Sequence, residues 1–199
     1  MIPELVYRLL FLLFGIDMMA IRLHYQKKVL PNHEETTVKG NPLHLLPGVI
    51  AALTTIIFSL EYIVAPRTFG FAYPVNYPDW LRITGALFLA CGLLLLWAAH
   101  HHLDRSFSSF VASREQQTMV TTGPYLYVRH PIYTAYVMNY LGGGLLASNT
   151  ILAVIPTLCF LWMVALRIGE EEQLLIDLFG ERYRDYMRST PRFFPHLKR

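Results

Sequence analysis

Apolar and polar positions alternate in long blocks along this chain, not residue by residue. Five apolar runs stand out: residues 2–21, 43–65, 81–99, 132–147 and 151–168. Runs of this kind approach the roughly 20 residues that an α-helix needs to cross a bilayer. The second is broken only by Glu61, and the fourth is short and holds Gly142, Gly143 and Gly144. Between them lie polar connectors: a loop with Lys27, Lys28 and Lys39, a Pro- and aromatic-rich stretch around residues 66–80, a mixed segment from His100 to His130, and a tight SNT turn. The chain ends in a charged, amphipathic tail from Gly169 onward. The pattern predicts an all-α integral membrane protein with five transmembrane helices and a C-terminal helical tail. The first run has no basic leader, carries Glu4 near its start and shows no small-x-small cleavage site, so a retained span is expected over a signal peptide.

Composition strengthens the class. Of the 199 residues, 54% are hydrophobic and 16% charged, against about 45–50% and about 25% in soluble globular domains. Cys91 and Cys159 both fall inside apolar runs and read as buried thiols. Charge placement gives an orientation. With five spans, 14 of the 17 Lys and Arg residues fall on one side, and only Arg8, Arg67 and Arg82 on the other. Basic residues stay in the cytoplasm, which puts the N-terminus outside and the C-terminus and the 100–130 segment inside. Residues 1–199 form a single membrane domain: three N-terminal spans in 1–103, and the chemistry-bearing loop, helical hairpin and tail in 104–199.

Several polar groups lie where lipid excludes them. Arg167 ends the fifth run and is followed by Glu170, Glu171 and Glu172. Helical spacing places Arg167 and Glu171 on one face at i, i+4. That is the pattern of a site, or of a structural ion pair. The segment Arg129-His130-Pro131 at the mouth of the fourth run has two readings. Proline is tolerated at a helix start, so the segment can be punctuation; free backbone N–H groups there can also meet an anionic ligand. Spacing does not choose between them. The Gly142–Gly144 triplet favours close helix packing over a ligand cavity. His100, His101 and His102 point about 100° apart on a helix, and two ligands do not complete a zinc site, so no metal is expected. The chain has no GxGxxG or Walker pattern, no GxSxG, and nothing that suggests nucleic-acid recognition.

The combination of GPYLYVRHPIY (residues 123–133) with RIGEEEQLLIDLFGERYRDYMRSTPRFFP (residues 167–195) resembles the isoprenylcysteine carboxyl methyltransferases. These are integral membrane enzymes that use S-adenosylmethionine, and the phospholipid N-methyltransferases look similar over the same region. The likeness implies cofactor contacts from Gln117, Thr118, Met119 and Val120, from Tyr125, from His130, Pro131, Ile132 and Tyr133, and from Glu171. It places Arg167 at the methyl acceptor. Ala135 stands where many members carry glycine. The acceptor implied is a lipid-borne carboxylate, such as a C-terminal isoprenylcysteine, entering from the bilayer. Two other reactions remain open at this stage: lipid-amine N-methylation, and a dinucleotide-dependent membrane reductase.

Overall fold

The computed structural model describes residues 2–29, 46–107 and 119–195, with side chains described outside 26–29 and 104–107. Six α-helices and no strand occur among the described residues: α1 (Glu4–Val29), α2 (Leu46–Val64), α3 (Asp79–Phe107), α4 (Pro131–Leu146), α5 (Thr150–Phe179) and α6 (Glu181–Ser189). Among them, α2, α5 and the Asp79–Leu103 part of α3 are long and apolar enough to cross a membrane. α1 is long but less apolar. α4, at 16 residues, spans about 24 Å, less than the roughly 30 Å hydrocarbon core.

Three helices run past their apolar runs. α1 continues to Val29, α3 to Phe107 and α5 to Phe179. Hydropathy marks where lipid ends, not where hydrogen bonding stops. No breaker interrupts EEEQLLIDLF, and α5 ends only at Gly180, whose φ of 59° suits glycine. α5 begins at Asn149, whose side chain accepts from the Leu152 N–H at 2.9 Å, an N-cap that explains the tight SNT turn. α4 begins with Pro131 directly after His130, so proline does punctuate a helix here.

The helices pack in the order α1, α3, α4, α5, α2. Small residues set the α3–α4 seam. A Cβ on Gly85 would lie 2.8 Å from the Gly142 carbonyl oxygen, and one on Gly142 2.7 Å from that of Gly85. Gly144 is pressed equally closely against Ala153 of α5. The triplet therefore serves packing. Gly92 lies against the Asn139 side chain and the Ala135 carbonyl.

One end of the bundle is pinned by Arg82, which is 6% exposed. Its guanidinium donates to both Glu4 carboxylate oxygens at 2.6 and 2.8 Å, to the Tyr62 hydroxyl at 2.9 Å and to the Leu146 carbonyl at 2.9 Å. It also lies 3.7 Å over the Tyr7 ring. Arg8 donates to the Ile63 carbonyl, so α1 and α2 meet at this end. Removing one partner of such a buried network strands the others. Glu4 is 45% exposed at its side chain, so Arg82→Met is expected to cost about 1–2 kcal/mol, mainly from the lost hydrogen bonds, read as a fall in the melting temperature of the solubilised chain.

Candidate cofactor and acceptor site

The opposite end holds a cavity of about 430 Å³, within the range of small-molecule and cofactor sites. Its walls come from sequence-distant segments. Met119, Val120 and Tyr125 supply one side, and His130, Pro131, Ile132 and Tyr133 a second. Glu171, followed on α5 by Leu175, Leu178 and Phe179, supplies a third, and Tyr183 and Tyr186 of α6 close it. Eight residues expected from the sequence thus meet in one space. Gln117 and Thr118 lie outside the described residues. Leu175, Leu178 and Phe179 of α5 and Tyr183 and Tyr186 of α6 were not expected from the sequence, although spacing carries a signal: 175 and 178 follow Glu171 at helical period, and 183 and 186 share one face of α6.

Glu171 is the cavity carboxylate without a strong cationic partner. Its Oε2 accepts from the Tyr133 hydroxyl at 2.6 Å, and its Oε1 is 4.0 Å from His130 Nδ1. The Tyr133 and His130 rings stack at 5.5 Å, and both line the cavity. Arg167, one turn earlier on α5, is exposed, does not line the cavity and makes no ion pair among the described residues. The i, i+4 geometry therefore places Arg167 beside the site without closing it onto Glu171.

Glu172 plays a different part. It is 3% exposed and points about 100° away from Glu171 on the helix. It accepts from Arg129 at 2.8 Å, from Arg192 at 2.6 Å, and lies 3.3 Å from His130 Nε2. Arg129 also donates to the carbonyls of Met187 and Thr190. The tail then crosses the start of α4: the Arg129 and His130 N–H groups donate to the Pro191 and Arg192 carbonyls at 2.8 and 3.0 Å, and Thr134 Oγ1 to the Phe193 carbonyl at 3.1 Å. Arg129 thus holds the tail. The backbone donors before Pro131 are taken, which leaves the first-turn N–H groups of Ile132 and Tyr133 for a ligand.

This cluster predicts a contrast. Glu172→Gln leaves Arg129, 7% exposed at its side chain, buried without its anion, and should cost about 3–5 kcal/mol. Arg192 is 47% exposed, so Arg192→Ala should cost about 1 kcal/mol. Thermal unfolding of both variants checks the ordering.

Arg129 is the charged side chain in the rest of the lining, and the phenols there are neutral. Burial raises the Tyr125, Tyr183 and Tyr186 phenols, Tyr183 to about 12, so all three stay protonated at neutral pH. The Tyr186 hydroxyl donates to the Tyr125 carbonyl at 2.5 Å, joining α6 to the 3-10 turn Gly123–Leu126. The three histidines separate as their spacing requires. His100 stacks on Tyr25, His101 on Trp97, and His102 Nδ1 lies 3.1 Å from the Thr122 hydroxyl.

Fold and site together define a helical integral membrane protein whose cavity sets one carboxylate, Glu171, and the Arg129 guanidinium among aromatic and apolar walls. Residues 84–177, a little under half of the chain, match the isoprenylcysteine carboxyl methyltransferase (ICMT) family. It is 33% identical over 158 residues to the protein-S-isoprenylcysteine O-methyltransferase of Mus musculus, covering 78% of this chain and 53% of the relative. It is 39% identical over 88 residues to the nickel-cobalt-cadmium resistance protein NccN of Alcaligenes xylosoxydans xylosoxydans, covering 44% of this chain and 41% of the relative. The chain thus spans about half the length of these curated relatives. A solved structure of a eukaryotic intramembrane Ras methyltransferase ICMT shares the fold, with a TM-score of 0.57 at 22% identity, over 92% of this chain and 66% of that one.

Proposed function

We propose that this chain is an S-adenosylmethionine-dependent methyltransferase that esterifies a lipid-borne carboxylate, an isoprenylcysteine or a similar amphiphile. The observation that carries the reading is the meeting of Met119, Tyr125, the His130–Tyr133 wall and Glu171 in one cavity, with the unpaired Arg167 a turn outside it. The cofactor fits this donor set. Glu171 offers an anion to its ammonium, the N–H groups of Ile132 and Tyr133 offer donors to its carboxylate, and Met119, Val120 and the rings offer a flat apolar slot for adenine. When bound, S-adenosylmethionine supplies the electrophilic methyl group.

The chain's own residues need only bind and orient. A carboxylate acceptor has a pKa near 4 and is ionised at neutral pH, so no general base is required. Arg167, with its planar fork, holds the acceptor carboxylate by one oxygen and leaves the other free. The tail strap and α6 exclude water from the cavity, and the rate comes from orientation and fixed dipoles. In the membrane, α1 and α4 complete five crossings, with the N-terminus outside and the site at the cytoplasmic face, as the basic residues direct. The acceptor arrives from lipid and the cofactor from the cytosol.

Tritiated methyl transfer to N-acetyl-S-farnesylcysteine, phosphatidylethanolamine and a plain fatty acid tests the reading. Counts released as methanol by mild alkali mark an ester. Alkali-stable counts on phosphatidylethanolamine alone would replace it with N-methylation. Stabilisation by NADPH and not by S-adenosylhomocysteine would point to the reductase class.

A further inference from the structure

We propose that Arg22 of α1 is a second acceptor-binding cation, facing Arg167 across the Tyr133–Tyr136–Tyr140 row and selecting anionic amphiphiles. This rests on the esterification reading and extends it to a helix that carries no family motif.

Two register marks place Arg22. α1 and α4 run antiparallel: Tyr7 packs with Leu146, and Phe11 lies 3.6 Å from where a Cβ on Gly143 would stand. Phe11, Phe14, Met18 and Arg22 follow at i, i+3, i+7 and i+11, one face of a helix. Eleven residues along α1 is about 16 Å. The same distance back along α4 from Gly143 reaches Ile132, a wall of the cavity. The second mark agrees. Tyr25, one turn beyond Arg22, stacks on His100 at 4.8 Å, and Leu103, one turn beyond His100, lines the cavity.

At this level α4 turns an aromatic face outward from the α3 seam. Tyr133, Tyr136 and Tyr140 pack on Phe160 of α5 with ring centroids 6.0, 5.4 and 5.5 Å away. The register sets Arg22 at the end of α4 that carries Tyr133 and Tyr136, and Tyr133 bonds Glu171, one turn beyond Arg167 on α5. Arg22 is exposed and makes no ion pair among the described residues. Two cations thus border one aromatic face beside the cavity, whose own carboxylate is reserved for the cofactor's ammonium. An amphiphile with its chain along the tyrosines and its carboxylate toward the cavity meets both. A snorkelling arginine bound to lipid phosphate shares the chemistry but leaves acceptor affinity unchanged.

The test uses the full chain in detergent micelles. Arg22→Ala should raise the KM for N-acetyl-S-farnesylcysteine about tenfold, with kcat within about threefold and S-adenosylhomocysteine affinity unchanged. Arg22→Lys should restore most of the loss, and Arg22→Glu should deepen it. Equilibrium binding of tritiated N-acetyl-S-farnesylcysteine separates the two proposals. If Arg22→Ala weakens binding about tenfold while no methyl is transferred, the reaction fails and the Arg22 assignment stands. If methyl is transferred and both KM and affinity are indifferent to Arg22→Ala, the reaction stands and Arg22 is a headgroup anchor. No binding by the unaltered chain overturns both.

Discussion

Arg167→Ala should lower kcat/KM for a carboxylate acceptor by about 100- to 1,000-fold while leaving S-adenosylhomocysteine affinity within about twofold. The size follows from losing the cation that binds and orients the acceptor carboxylate, worth about 2.7–4 kcal/mol. The selectivity follows from position. Arg167 is exposed, lies outside the cavity lining and is not paired with Glu171, so its loss strands no buried charge. Calorimetric titration with S-adenosylhomocysteine, beside methyl transfer to N-acetyl-S-farnesylcysteine, checks both halves. Loss of the calorimetric signal would move Arg167 into the cofactor site. Unchanged turnover would remove it from the acceptor site. Arg167→Lys should recover only part of the rate, because a point charge lacks the planar fork.

The part of this site that was legible in the sequence is the part where polar groups break apolar runs. His130 and Glu171 stand out because lipid should have excluded them, and the structure brings both to one cavity. Glu172 was opaque for a physical reason. An i, i+4 argument sees one helix face at a time, and Glu172 points to another, where its partners come from Arg129 and Arg192, 43 and 20 residues away in the chain. The Arg129-His130-Pro131 segment was open between helix punctuation and a ligand wall, and the structure gives it both: Pro131 opens α4, residues 129–130 pair with 191–192, and all three residues line the cavity. The fold divides in the same way. Apolar runs locate the helices, but the extensions of α3 and α5 lie beyond them, and the α5 extension carries Leu175, Leu178 and Phe179 into the cavity wall.

Glu171→Gln is the sharper probe of the cofactor, because it changes charge while keeping shape. The amide oxygen can still accept from the Tyr133 hydroxyl, which sits 2.6 Å from Oε2, so the His130–Tyr133 wall should keep its place and the melting temperature should barely move. What disappears is the anion facing the cofactor's ammonium. Glu171 is 44% exposed at its side chain without ligand, so the pair forms partly screened and its loss should cost about 2 kcal/mol, roughly a 30-fold weaker S-adenosylmethionine Kd. The acceptor KM should stay within about twofold, the reverse of the Arg22→Ala pattern. Glu172→Gln supplies the control. Its carboxylate is spent on Arg129 and Arg192, so that variant should lose fold stability first and ligand affinity only as a consequence. An unchanged cofactor Kd in Glu171→Gln would mean that the ammonium is held elsewhere. Phenol oxygens would be the remaining acceptors in the cavity, and Tyr133→Phe would then weaken binding where Glu171→Gln did not.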